Sequence, residues 1–422
     1  MWATQVAPTR WCLPTRWLLV VVFCAAFGLR LVAVLTVGHA SLERSSDAQA
    51  FYEIAINLVE RHQFANTSDP PHRLDVPQVS RAPLLPFVLA GAYAISGRDL
   101  LVGQLVLALV GSCATIVVYL LGSKLFGSLV GLVAAVLVAI YPFFLFLASI
   151  PLTESIGLLL YPILALLVVQ AATDPKPRYM VLTGIALGLS CLNSPRALPL
   201  LPFLLCFFLL VYGYKVKLAL SASLILVGTT AIVLLPWTLR NWMLFHAFIP
   251  VNTYAWGNCH AGNNPYTDRS LALLEEGKAF GWIIHGQELE GIQSPVEAER
   301  KYRDLALSFI REHPAQVLQY DLRKLRLFFA AYPYLLHRLS WYPLSILALI
   351  GVILSRKEWR RLLPLYLLIV PTVLIPTLCT ALPRYRAPIE PLFMILAAYA
   401  IVKIAQALVH FHPISIPTLG RG

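Results

Sequence analysis

Two carboxylates and a set of arginines, placed just beyond the ends of long apolar runs, are the side chains best placed to do chemistry in this chain. Asp47 lies in Ser45-Ser46-Asp47-Ala48-Gln49-Ala50-Phe51-Tyr52, shortly after the first apolar run and at the head of an amphipathic stretch reaching Val59. A carboxylate just outside a bilayer could take the proton of a hydroxyl nucleophile. Ser46 or Asp47 could equally cap the helix that begins there. Glu154, in Pro151-Leu152-Thr153-Glu154-Ser155, stands where another apolar run enters the membrane, and a carboxylate is also favourable at a helix start for its own sake.

The arginines divide into two kinds. Arg81, in Ser80-Arg81-Ala82-Pro83-Leu84-Leu85-Pro86, and Arg196, Arg240, Arg384 and Arg386 all stand at the outer ends of apolar segments. Their planar donors suit a phosphate if the fold gathers them. Singly, each could be an interfacial cation with its stem along the apolar surface. Arg30 lies within an apolar helix, where an ionisable side chain is costly and marks a polar cavity with a partner. Asp47 or Glu154 would supply that counter-charge. A later polar stretch holds Trp256-Gly257-Asn258-Cys259-His260-Ala261-Gly262-Asn263-Asn264-Pro265. The Asn263 and Asn264 amides could pair with sugar hydroxyls while an aromatic covers an apolar sugar face, but Gly and Asn also mark plain turns. No second ligand stands at a helpful spacing from His260, so no metal site is expected.

The elements that hold these residues must be membrane helices. Of 422 residues, 58% are hydrophobic and only 13% charged, with a mean hydropathy of +0.72. A soluble domain carries about 25% charged residues. Runs of ~18 or more apolar residues span the hydrocarbon core, and their backbone groups must be satisfied within the segment, so helices are expected. Ten spans are predicted near residues 17–37, 100–121, 129–147, 155–171, 179–192, 198–211, 218–235, 341–354, 362–380 and 388–409. Residues 84–96 are too short to cross and are expected to lie on the surface.

Charge then orients the chain. Lys124, Lys176, Arg178, Lys215, Lys217, Lys403 and the basic residues of 356–361 occupy connections on one side, opposed only by Asp174 and Glu358. The long segments on the other side are balanced, so the net charge of +12 reflects the positive-inside rule and calls for no nucleic-acid partner. The first apolar run is read as a signal anchor, because its length and Arg30 do not fit a cleaved signal. The fold class is thus all-α and polytopic, with roughly ten transmembrane helices, surface helices and two large outer loops. Residues 1–236 form an N-terminal membrane module that includes the first outer loop at about 38–99. Residues 237–340 form the second outer region, and 341–422 the C-terminal membrane helices with a short tail. The seven cysteines show no metal-ligand spacing.

In order along most of the chain these features resemble the GT-C glycosyltransferases that use polyprenyl-phosphate sugars, of the glycosyltransferase family 39 type. That type is related to protein O-mannosyltransferases and to lipid A aminoarabinose transferases. The resemblance is carried by Arg30, by Asp47 with Phe51 and Ala55, and by Arg81-Ala82-Pro83-Leu84-Leu85-Pro86. It continues through Phe126-Gly127, Leu152-Thr153-Glu154, and Pro236-Trp237-Thr238-Leu239-Arg240-Asn241-Trp242. Gly262-Asn263-Asn264-Pro265, His313-Pro314 with Arg323-Lys324, and Pro383-Arg384-Tyr385-Arg386-Ala387-Pro388 complete it.

The resemblance implies an inverting transfer of a sugar from a polyprenyl-phosphate donor to an acceptor hydroxyl of a lipid, glycan or protein. It places the site on the non-cytoplasmic face of a prokaryotic plasma (inner) membrane. Asp47 resembles the family's first-loop catalytic acid and Glu154 its second outer acid. Arg81 is similar to the basic residue near the donor phosphate, with Arg240, Arg384 and Arg386 as further candidates. Arg30, Arg196, Asn263 and Asn264 are candidates for polar-cavity or sugar contacts. The chain departs from the aminoarabinose branch at Ser80, where an acidic metal-binding residue would stand, and from the mannosyltransferases at Ala48, where a second acid would follow Asp47. No cofactor is expected, and a divalent metal is left open. A transporter or flippase for a lipid-linked sugar, or an oligosaccharide ligase with a pyrophosphate-linked donor, are the alternative readings.

Overall fold

The computed structural model describes residues 13–411 except 44, 70, 71, 214, 277–291, 293 and 333. Among the described residues the chain is helical with no strand. The first membrane helix, α1 (Leu13–Val37), leads to the amphipathic α2 (Ser46–Glu60). The apolar α3 (Leu84–Ser96) follows. At ~1.5 Å per residue its 13 residues reach about 20 Å, short of a ~30 Å hydrocarbon core. It packs instead between α2 and the long α4 (Leu100–Phe126), whose first turn is capped by the Asp99 carboxylate accepting from Leu101 N at 2.9 Å.

The next span is broken. α5 (Ser128–Ile140) and α6 (Pro142–Ala148) meet at 57°, because Tyr141 is extended and Pro142 offers no N–H to continue the ladder. Then α7 (Thr153–Thr173), α8 (Pro177–Asn193), α9 (Leu200–Tyr212) and α10 (Val216–Phe245) complete the N-terminal bundle. The second loop region folds as α11 (Ala255–Ala261), α12 (Thr267–Glu275), α13 (Pro295–Glu312) and α14 (Pro314–Phe328). A small core of Leu271, Phe309, Val317, Tyr320 and Leu327 holds α12, α13 and α14 together. The chain returns to the bundle through α15 (Leu335–Leu354), α16 (Trp359–Leu378) and α17 (Glu390–Phe411).

Eight of the described helices are long and apolar enough to cross a membrane, or nine with the bent pair counted as one span. The tenth expected span is α8, which at 17 residues is short. It nonetheless runs back along the full length of α7: Asn193, at its end, donates to the carbonyl of Thr153, the first residue of α7, at 2.8 Å. Large apolar side chains such as Leu210, Leu224 and Ile232 point outward from the bundle. Such a surface is stable against lipid and not against water. At one end of the bundle Arg361 donates to Lys124 O at 2.9 Å and to Glu358 at 3.2 Å. The starts of α2 and α7, the end of α8 and residues 383–389 meet at the other end.

Candidate active site

Asp47 is the second residue of α2, yet it does not cap that helix. Ser45 does so, its Oγ accepting from Ala48 N at 3.3 Å. The cap expected at Ser46 or Asp47 thus sits one or two residues earlier, and the Asp47 carboxylate is left to make other contacts. It accepts from Arg81 Nη1 at 2.6 Å on one oxygen and from Arg384 Nη2 on the other. Arg81, in the irregular segment before α3, turns its other edge to Asp69, with Nε and Nη2 donating at 2.8 and 2.6 Å. This bidentate geometry fixes the guanidinium plane, which Phe51 and Tyr254 flank.

On the far side of Arg384 stands Glu154, in the first turn of α7 and 3% exposed. Its Oε1 lies 4.0 Å from Arg384 Nε and accepts from Arg196 Nη2 at 3.2 Å. Arg196, one turn beyond α8, donates to Ser194 Oγ at 3.0 Å and lies 3.6 Å from the centre of the Tyr385 ring. Six charged side chains therefore alternate in sign in a single row: Asp69, Arg81, Asp47, Arg384, Glu154, Arg196. The row is assembled from five separate stretches of chain and crosses the mouth of the bundle.

Five of the six, all but Asp69, line a cavity of about 840 Å³. Residues 249–256 of the second loop and Glu299, Arg300 and Arg303 of α13 close its other wall. Glu299 accepts from Trp256 N at 2.7 Å and Gly257 N at 3.3 Å, which pins α11 over the opening. Burial there raises the Glu299 carboxyl above its usual range, opposed by those backbone donors. Burial would also raise Asp47, but the Arg384 and Arg81 guanidiniums outweigh it and hold that carboxyl well below the carboxylate range. Two donors facing this region are unused: Arg196 Nη1 and Arg384 Nε are buried without a hydrogen-bond partner. Buried, unpaired guanidinium donors are costly unless an anion arrives to meet them.

Three other expected arginines are elsewhere. Arg240 lines a second, mostly apolar cavity of about 630 Å³. It donates to Gln78 O at 2.9 Å and Asn241 Oδ1 at 3.0 Å and packs on Trp237. Arg386 is fully buried between α14 and α17, bound to Glu390 at 2.6 Å and to the carbonyls of Phe328 and Ala330, with Trp341 beneath it. It ties these elements together and does not line the cavity. Arg30 has neither Asp47 nor Glu154 as its counter-charge. It donates to the carbonyls of Val138 and Ala139 at 3.2 and 3.4 Å, and to Ala26 O at 3.0 Å. The negative end of the broken helix α5 thus takes the place of a carboxylate. Gly111 makes room, since a Cβ there would stand 2.8 Å from Arg30 Nε.

Asn263 and Asn264 are also turned inward. Asn263 Nδ2 donates to Cys259 O and Leu378 O at 2.9 Å each. Asn264 Nδ2 donates to His260 O at 2.8 Å while its Oδ1 accepts from Tyr266 N at 2.7 Å. They build a turn and do not line the cavity, so the plain-turn alternative describes them. Conversely, Asp69 and Tyr385 belong to the site without having been singled out. Asp69 lay in an irregular loop ahead of two prolines with no spacing tying it to Arg81. Tyr385 could have been found, because it sits between two arginines in Arg384-Tyr385-Arg386. Asp47, Asp69 and Glu154 each face a guanidinium, so the site as built does not fit a divalent cation.

Residues 80–239 match the model of the family described as dolichyl-phosphate-mannose-protein mannosyltransferase. That segment contains Arg81, Glu154 and Arg196 but neither Asp47 nor Arg384. Among solved structures, the chain is similar to the archaeal oligosaccharyltransferase AglB from Archaeoglobus fulgidus in complex with an inhibitory peptide and a dolichol-phosphate. The TM-score is 0.57 at 16% identity, covering 97% of this chain and 52% of that one. The same enzyme tethered to an acceptor peptide gives 0.56 at 16% identity, over 97% and 51%. ArnT from Cupriavidus metallidurans bound to undecaprenyl phosphate gives 0.47 at 14%, over 93% and 79%. The chain spans about half the length of the oligosaccharyltransferase it matches. No curated protein sequence matches it. The fold is GT-C-like, as the resemblance implied.

Proposed function

We propose, from the GT-C-like fold and the row of alternating charges at its mouth, that this protein transfers a sugar from a polyprenyl-phosphate donor to an acceptor hydroxyl. The observation that carries the reading is Asp47, held between Arg81 and Arg384 at a cavity in which Arg384 Nε and Arg196 Nη1 make no hydrogen bond. Those donors suit the phosphate of an incoming lipid. As the phosphate engages Arg384, Asp47 loses one of the two cations that make it a weak base. The acceptor hydroxyl then attacks the sugar carbon from the face opposite the phosphate, the carbon–oxygen bond to phosphate breaks, and Asp47 takes the hydroxyl proton. The product is inverted, and the charge that grows on the departing phosphate is met by fixed guanidiniums. Arg81, saturated by two aspartates, orients Asp47; Glu154 holds Arg196 and Arg384 in place.

Two similarities support the donor class: the matching family is named for dolichyl-phosphate-mannose, and the Archaeoglobus enzyme was solved with a dolichol-phosphate. The basic residues at the opposite end of the bundle support a non-cytoplasmic cavity. The test is transfer by the purified chain in lipid discs, given polyprenyl-phosphate sugars and hydroxyl acceptors. Absence of transfer together with transbilayer movement of the intact lipid-linked sugar would overturn the reading in favour of a flippase. Analysis of lipid-linked sugars that accumulate on gene deletion would identify the donor.

A further inference from the structure

Two cysteines meet in the wall of the cavity. Cys259 is carried by the short helix α11 of the second loop, and Cys379 follows the last residue of α16, five residues before Arg384. The surrounding backbones are held tightly together. Asn263 Nδ2 bridges Cys259 O and Leu378 O at 2.9 Å each. Lys324 Nζ bridges Gly262 O at 3.2 Å and Cys379 O at 3.1 Å. Thr380 Oγ1 donates to Asn258 O at 2.6 Å. The approach requires glycine at 262, since a Cβ there would lie 1.7 Å from Cys379 O. Cys259 and Cys379 stand on the two sides of this seam.

We propose that Cys259 and Cys379 are a disulfide-forming pair that fastens α11 to the segment carrying Arg384. Thiols carried on backbones interlocked this closely need little movement to reach disulfide geometry. Cys379 is partly exposed and lines the cavity, while Cys259 is buried behind it. An oxidant therefore reaches Cys379 first, and Cys259 resolves the intermediate. The Cys259 thiol is held below its ordinary value, by Cys379 beside it and by the Lys324 ammonium against the effect of burial, which favours it as the thiolate that resolves. Closure joins the two Sγ atoms and releases two protons and two electrons. These reduce the disulfide of a thiol–disulfide exchange protein in the cell, or the azo bond of diamide in the test tube. An oxidising compartment, where such bonds persist, rests on the outward-facing reading above; the pairing rests on the geometry alone.

The test reads thiols, so it is independent of sugar transfer. The full-length protein is treated with diamide, unfolded in detergent, alkylated, digested and analysed by mass spectrometry with and without reduction. The expected result is a linked peptide pair containing Cys259 and Cys379, lost on reduction, with Cys191 and Cys206 alkylated throughout. In Cys259→Ser protein, Cys379 should be alkylated after the same treatment. The linked pair is also expected without diamide in cells whose thiols are blocked before lysis. Alkylation of both residues in diamide-treated wild-type protein, or their recovery as separate blocked peptides from cells, overturns the inference. Failed transfer with the linked pair present would instead count against the functional reading alone.

Discussion

Replacing Asp47 with Asn separates catalysis from binding in a way the charge row makes quantitative. The substitution keeps size and hydrogen-bonding reach but removes the base, and losing a general base costs roughly 10²–10⁴-fold in rate. It also changes the row from three cations against three anions to three against two. Arg384 Nη2 and Arg81 Nη1 then face a neutral amide where a carboxylate stood. Hydrogen bonds to charged groups contribute about 1.5–3 kcal/mol each, so a phosphate that competes with Asp47 for Arg384 should bind the Asn variant more tightly. Recovering half of one such bond is about 1 kcal/mol, a five- to tenfold fall in donor Kd. Stability should fall as well, because Asp47 is only 26% exposed and a hydrogen bond to a charged group contributes about 1.5–3 kcal/mol, so activity is read per folded molecule. The cap is untouched, since Ser45 provides it. The assay pairs single-turnover transfer in lipid discs with equilibrium binding of a labelled polyprenyl-phosphate sugar. Full transfer by the Asn variant would eliminate Asp47 as the base and leave Glu154 as the next candidate. Collapsed transfer with unchanged donor affinity would refute the displacement of Asp47 by phosphate.

The acid limb of kcat/KM, which reports the free enzyme, should lie below the ordinary Asp value of ~3.9. Asp47 is depressed by its arginines, so its stabilising charge is present above that value and lost only as pH falls through the lower folded one; an Asp47-dependent limb near pH 6 would contradict this. Arg384→Lys should weaken donor binding at least tenfold, because an ammonium cannot serve Asp47 and a phosphate with one planar fork; unchanged Kd would remove Arg384 from the donor site. Arg30→Ala should lower stability in detergent by about 1–3 kcal/mol, the cost of leaving buried acceptors unmet, read from thermal unfolding with transfer per folded molecule preserved. Cysteine substituted at Glu358 should be labelled only from the cytoplasmic side, and at Glu43 only from the other; the reverse pattern would invert the topology.

Much of the fold could be read from composition because lipid imposes one rule, closure of the backbone within each apolar run, and α4, α7 and α10 obey it with long uninterrupted stretches. α8 was harder, since its 17 residues are short and its partner α7 supplies much of its burial. For the site, residue type and position at helix ends were enough to pick out Asp47, Arg81, Glu154, Arg196 and Arg384, which the structure brings together. Position alone could not separate Arg384 from Arg386. Two residues apart in a 3-10 turn, they point to opposite neighbours, one to the cavity and one to Glu390 inside the bundle. Asp69 was invisible for another reason: its tie to Arg81 runs through an irregular loop, where no periodicity predicts which side chains meet.

The arginine within α1 also constrains the order of biogenesis. Its carbonyl partners in α5 are 108 and 109 residues further along the chain. At about 5–20 residues per second of synthesis, α1 waits roughly 5–20 s before they exist. During that interval the guanidinium has only the carbonyl of Ala26, one turn back in α1, as its partner, and an arginine at a helix centre costs about 2.5–3.5 kcal/mol on insertion scales. The first helix, apolar enough to cross the membrane by itself, is therefore a less favourable lipid guest before α5 emerges than after it. The bend at Tyr141, which frees those carbonyls from the ladder, thus ties the settling of α1 to a segment made more than a hundred residues later.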